Sequence, residues 1–343
     1  MTDPTTVELA EILPAVRTAD GGTRALPVAP PTPNFSGAET DARLVELWLS
    51  GKAPSTRRKY LEDLAGFVRY LGPKPLGAIT LSDLVEYAED LAWLHPEAGP
   101  ATRVRKLKVL KSLFSYAQRV GYISHNVGAA LELPKTRDDL SEKILSERDV
   151  HRLLGAPDGP QAARDRALLL VMYAGALRRE EAAGLKWRDL AAREELGAGV
   201  AQLAVFGKGG KTGIVAIPRS AHEALLPLRS VSEPVPGGRR GERREREAAP
   251  DEPIFRSRKR RNEAGGQLEV SAINRIVSRA VEKAGLEAPA TPHWLRHAHA
   301  SHAHARGTDL ALIRDTLRHS NIGTTSRYLH ARPNDSSGLH LGL

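Results

Sequence analysis

No cysteine occurs among the 343 residues, which excludes disulfide frameworks and cysteine-ligated zinc and suits a reducing compartment. Long apolar runs are missing too. The longest, Ala167 to Leu177, is too short to cross a bilayer and predicts a buried core helix. The opening residues Met1-Thr2-Asp3-Pro4 lack the basic start and apolar core of a secretory signal, so the protein is expected in the cytoplasm, with no membrane partner. A His-Glu-x-x-His zinc motif is absent as well. The histidine run His297, His299, His302 and His304 does not replace it, because one helix cannot point four imidazoles at one ion. No metal and no cofactor is expected, and His297 and His302 are read as structural.

What is present is positive charge. The formal net charge is +9 and the pI about 9.8, which favours a polyanionic partner, and double-stranded DNA is the expected one. A hydrophobic share of 41% beside 27% charged residues fits a globular protein, and the length exceeds what one core usually supports, so two domains are expected.

Residues 1–37 include the proline-rich stretch Leu26 to Pro33 and read as a mobile arm. From Ala42 the pattern becomes helical. Leu44, Val45, Leu47, Trp48 and Leu49 form one apolar face; Ser55 and Thr56 are placed to cap a second helix carrying Tyr60, Leu64, Phe67 and Tyr70. A third helix is expected from Thr80 to about Leu94 and a fourth from Pro100 to about Gly121. In the fourth, Arg105, Lys108 and Lys111 repeat beside the stripe Val104, Leu107, Leu110 and Phe114. Together with Arg57, Arg58 and Lys59 they are candidate phosphate contacts, the competing reading being a solvated face. The first domain is thus a DNA-binding helical bundle over 38–134, followed by a linker at 135–145.

A second domain is expected over 146–343. Ser146 and Asp149 resemble a capping box, a buried helix runs from Gln161 to about Ala176, and two strands, 202–206 and 212–217, flank Gly207-Lys208-Gly209-Gly210-Lys211 as a hairpin. The mixed arginines and glutamates of 231–253 read as a solvated, disordered insertion. Helices are expected at Ser271–Ala284, Pro292–Arg306 and Asp309–Leu317. The fold class is therefore mainly α, with a small antiparallel sheet in the second domain.

The chemistry-bearing residues are ordered along this domain. If a side-chain oxygen attacks a phosphodiester, charge collects on the non-bridging oxygens, and arginine forks match that geometry. Arg178 and Arg296 lie in apolar surroundings where an unpaired surface arginine is unusual. A hairpin lysine, Lys208 or Lys211, can protonate a leaving 5′ oxygen. His293 and His319 can bond the phosphate and move protons, and Tyr328 can be the nucleophile.

Taken jointly, Ala174 to Leu185, Gly207 to Lys211, Pro292 to Ala298 and Leu317 to Tyr328 resemble the boxes of the tyrosine recombinases of phage-integrase type, most nearly the bacterial Xer-like members. The resemblance covers about 40–335, and the upstream bundle with Ser55, Thr56, Arg57 and Tyr60 is similar to the family's core-binding, SAM-like domain. It implies that Arg178, Lys208, His293, Arg296 and His319 surround the scissile phosphate, that Tyr328 attacks it, and that Glu181 supports Arg178. It implies a 3′-phosphotyrosyl intermediate formed without metal or ATP, assembly into a tetramer on two DNA sites, and room for a second recombinase subunit or an accessory protein. Ala176 and Arg318 depart from the family pattern, each standing where glycine is common. A tyrosine-type topoisomerase and a non-catalytic DNA-binding regulator are the competing readings.

Overall fold

A computed structural model describes residues 34–134, 143–207, 212–234, 239, 242–257, 266–287, 290–319 and 325–326. Most of the predicted arm and linker, the hairpin residues Lys208 and Lys211, the nucleophile candidate Tyr328 and the C-terminal leucines lie outside them. The chain divides into two compact units, Met1–Arg137 and Asp138–Leu343.

In the first unit, α1 (Asp41–Ser50) starts at Thr40, whose hydroxyl accepts from the Arg43 N–H, and buries Leu44, Val45, Trp48 and Leu49. The second helix, α2 (Pro54–Leu71), is not capped by Ser55 or Thr56 as expected; Pro54 occupies its first turn, where the ring pre-sets φ and the missing N–H costs nothing. In α3 (Leu81–Leu94) Thr80 and Asp83 cap reciprocally. The long α4 (Pro100–Arg119) ends before Gly121, whose φ of +74° reverses the chain, and the short α5 (Val127–Ala130) follows. Phe67, Leu84, Tyr87, Leu107 and Phe114 fill the core. Phe114 is 1% exposed; truncating such a ring costs about 3–5 kcal/mol.

The second unit is built on α6 (Glu147–Gly155) and α7 (Ala162–Ala174). Leu168, Leu169, Val171 and Met172 of α7 are wholly buried, as the apolar run requires. Next come α8 (Arg179–Gly184) and a three-stranded antiparallel sheet ordered β1 (Leu190–Ala192), β2 (Ala201–Phe206), β3 (Thr212–Ile217). In β2 Ala201, Leu203 and Val205 point to the core while Phe206 is exposed, the two-residue alternation of a half-buried strand. After α9 (Arg219–Leu225), the expected disordered insertion proves to contain a second sheet. Strands β4 (Ser230–Pro234) and β5 (Arg243–Glu247) pair in antiparallel register from Ser230↔Glu247 to Pro234↔Arg243. Its charges are matched rather than merely solvated: Arg246 forks onto Glu252 through two bonds of 2.7 Å, and Arg229 meets Glu247 at 2.5 Å. Ladder bonds and ion pairs supply what composition counted as missing hydrophobicity.

Three helices complete the unit: α10 (Val270–Lys283), α11 (Pro292–Ala305) and α12 (Leu310–Leu317). A small cluster of Ala176, Ala300, Ile313 and Leu317 joins α11, α12 and the turn after α7. Among the described residues no helix is long and apolar enough to cross a membrane.

Candidate active site

The site is assembled where the turn after α7 meets the N-terminus of α11 and the C-terminus of α12. Gly175 and Ala176 reverse the chain so that Arg178 stands at the N-cap of α8. Glu181, one turn on, accepts the Arg178 backbone N–H at 2.8 Å and its Nη1 at 2.7 Å. Glu181 is 4% exposed. Burial pushes its carboxyl up, but the Arg178 N–H and the Arg318 and Arg178 guanidiniums outweigh that, and it ends below the usual carboxylate range.

Arg296, on α11, has no exposed surface. Its Nη1 donates to the Ala176 carbonyl and its Nη2 to the Leu317 carbonyl, tying the turn to the end of α12. At that end Arg318 adopts the left-handed conformation, φ +54°, and caps the helix. Arg318 Nη2 donates to Glu181 Oε2 at 2.7 Å and to the Ala176 carbonyl at 3.1 Å; Nη1 donates to the Thr316 carbonyl at 2.8 Å. Ala176 (φ +48°) and Arg318 are the only non-glycine residues with positive φ among those described. Both departures noted in the sequence therefore stand where glycine is cheapest, each at a cost of about 1–2 kcal/mol.

The two histidines are close enough to these arginines to be perturbed by them. Burial, then Arg296 and Arg178, lowers the His293 pKa; burial, then Arg296, Arg178 and His293, lowers His319 to about 4. Both imidazoles are neutral at pH 7. His319 Nδ1 lies 2.9 Å from the Thr325 hydroxyl. Arg178 and His293 also line a cavity of about 790 Å³ with Arg179, Asn274, Ser278 and Thr291. The structure thus brings together Arg178, Glu181, His293, Arg296 and His319.

Three histidines of the run, His297, His299 and His302, are tied individually. His302 lies 2.9 Å from both the Tyr173 hydroxyl and the Leu145 carbonyl, His299 Nδ1 bonds the Tyr173 carbonyl at 2.8 Å, and His297 packs its ring on His293 at 4.3 Å. No group of metal-binding side chains is found among the described residues.

The basic residues of the first unit divide into two sets. Arg57 bonds the carbonyls of Lys52 and Ser50 at the end of α1, Arg105 pairs with the buried Asp63, and Lys111 bonds the carbonyls of Ala129 and Leu131. These three cations thus have structural partners within the unit, each bonding buried or helix-end oxygens. Lys59 and Lys108 are exposed, as is Arg58, whose nearest carboxylate, Glu62, is 3.7 Å away. Two contacts escape the sequence reading, that of Arg318 with Glu181 and that of Thr325 with His319; the sequence marks Arg318 only as a departure from glycine and Thr325 only by its nearness to Tyr328.

Comparison with known proteins gives a consistent set. The Phage integrase family profile matches residues 143–335. The chain is 32% identical over 294 residues to the tyrosine recombinase XerC of Rhodospirillum centenum, spanning 82% of this chain and 80% of that protein. It is 30% identical over 321 residues to the tyrosine recombinase XerD of Ralstonia nicotianae, spanning 93% and 97%. Among solved structures, a lambda integrase (75–356) dimer bound to a COC′ core site shares the fold with a TM-score of 0.64 at 19% identity, over 86% of this chain and 95% of that one. The XerH recombinase bound to palindromic difH, a post-cleavage complex, matches with 0.62 at 21% identity, over 88% and 84%.

Proposed function

The chain belongs to the phage integrase family of tyrosine recombinases, and on that premise we propose that it is a site-specific DNA recombinase, cutting and rejoining strands through a 3′-phosphotyrosyl intermediate on Tyr328. The observation that carries the proposal is the meeting of Arg178, His293, Arg296 and His319, in which the two guanidiniums help lower the pKa of both imidazoles.

In the reaction, the Tyr328 oxygen bonds phosphorus and the bond from phosphorus to the 5′ oxygen breaks. Negative charge growing on the non-bridging oxygens meets Arg178 directly and Arg296 from the buried side. A neutral imidazole, His319 or His293, accepts the tyrosine proton, and Lys208 or Lys211 gives one to the 5′ oxygen. Glu181 holds Arg178 for this work. Attack by the 5′ hydroxyl of a second strand reverses the steps and rejoins the DNA. Because the phosphotyrosine conserves the bond energy, the chemistry needs neither ATP nor a metal ion.

The partners proposed are double-stranded DNA, further copies of the chain in a tetramer on two sites, and a second recombinase subunit or accessory protein, all acting in the cytoplasm on the chromosome or another DNA. A lambda integrase tetramer on a Holliday junction shares the fold at a TM-score of 0.59. The curated relatives are named recombinases, which leaves the topoisomerase and non-catalytic readings without support.

The test uses a duplex site selected by binding from a random pool and nicked beside the cleavage point, so that a released fragment diffuses away and the covalent complex accumulates. Wild type forms that complex in EDTA without nucleotide and Tyr328→Phe forms none. A wild type that forms no complex, or needs a divalent ion to do so, contradicts the proposal.

A further inference from the structure

Arg318 touches three parts of the catalytic unit that have to share one geometry. Its guanidinium reaches the turn that delivers Arg178, through Glu181 Oε2 and the Ala176 carbonyl. Its own backbone closes α12 and leads into His319. Its stem lies on β3: a Cβ added at Gly213 would stand 2.5 Å from Arg318 Cδ and 2.9 Å from Cγ, closer than side chains approach one another. Gly213 follows Thr212, the first residue of β3 after the connection holding Lys208 and Lys211. The side chain is 12% exposed and its carboxylate partner 2%, so the contact is made where water does not screen it.

The backbone adds a second observation. An arginine held at φ +54° is in a region that L side chains rarely adopt. A residue free to be glycine here would lose that strain, so the guanidinium contacts offset it. Arg296 alone already ties Ala176 to Leu317; what Arg318 adds is the link to Glu181 and to β3.

From this geometry we infer that Arg318 is a positioning residue for strand cleavage, setting the Arg178–Glu181 pair, His319 and strand β3 in one register. It acts through Glu181 and Gly213, not by touching the reacting atoms. The inference rests on the recombinase reading and adds to it a residue that the motif alone leaves without a role.

The experiment measures single-turnover covalent complex formation on the nicked site, with DNA affinity and thermal midpoint recorded for each variant. Wild type is the control: if it forms no complex, the recombinase reading fails and not this inference. Arg318→Gly is expected to slow the step about 10- to 100-fold, with DNA affinity unchanged and the midpoint lowered, since relief of the positive φ only partly offsets loss of the buried contact to Glu181. Arg318→Lys, which keeps one charge but not the fork, recovers part of the rate. Gly213→Ala, which displaces the stem, slows the step in the wild-type background and adds nothing to Arg318→Gly. The inference is overturned if Arg318→Gly cleaves at the wild-type rate. It is equally overturned if DNA affinity falls in step with the rate, or if Gly213→Ala and Arg318→Gly act additively.

Discussion

His319 Nδ1 lies 2.9 Å from the hydroxyl of Thr325, a residue with no exposed surface. On the proposed recombinase reading this contact orients the ring and leaves Nε2 to serve the phosphate. Thr325→Val removes the partner at nearly constant shape. Single-turnover cleavage is expected to fall about tenfold, well short of the loss on removing His319 itself, with a stability cost of about 1 kcal/mol. An unchanged rate in the nicked-site assay contradicts the orienting role.

Folding stability carries the sign of the buried histidines. His319 and His299 are each lowered from 6.5 to about 4, first by burial, and His293 and His302 are also lowered. Between those values the unfolded chain binds more protons than the folded one, so stability is full above about 6.5 and is lost as the pH falls towards about 4. Thermal unfolding followed from about pH 7.5 to about 5 is expected to show a falling midpoint; a level one contradicts the burial of these imidazoles as neutral groups.

Glu181 holds two guanidiniums and one backbone N–H with an almost fully buried carboxylate. Glu181→Ala leaves both cations short of their partner and is expected to cost about 3–5 kcal/mol in denaturant unfolding. Glu181→Gln keeps the shape, and its cleavage rate should fall about 100-fold as Arg178 loses its anchor. A glutamine variant that cleaves like wild type shows that Arg178 needs no such anchor.

The basic residues of the first unit separate by experiment as they do by contact. Lys59→Ala and Lys108→Ala each reduce the slope of log affinity against log salt by about 0.9. Arg105→Ala instead strips the buried Asp63 of a partner and lowers the thermal midpoint. A salt slope moved by Arg105→Ala alone, with the midpoint unchanged, reverses the assignment.

Elements with apolar periodicity and clear punctuation are legible in the sequence. The stripe Val104, Leu107, Leu110 and Phe114 with Gly121 after it gives α4 nearly to its ends, and the glycine-rich loop between alternating residues gives β2 and β3. The β4–β5 pair is not legible, because its stabilising contacts join charges such as Arg246 and Glu252 that composition alone counts as solvated. The site is legible as a set of residue types in order: Arg178, His293, Arg296 and His319 do come together. What escapes is the wiring. Arg318 meets Glu181 across 137 positions of chain, and the positive φ of Ala176 and Arg318 is imposed by packing that no local pattern encodes.

The central claim is that Tyr328 becomes bonded to DNA, and the direct measurement is the identity of the side chain that carries the nucleotide. Wild-type protein trapped on the nicked site, digested with nuclease and trypsin and sequenced by mass spectrometry, is expected to yield a peptide beginning at Tyr328 with the phosphonucleotide on that residue. A nucleotide on any other side chain, or a trapped complex that persists in Tyr328→Phe, contradicts the account.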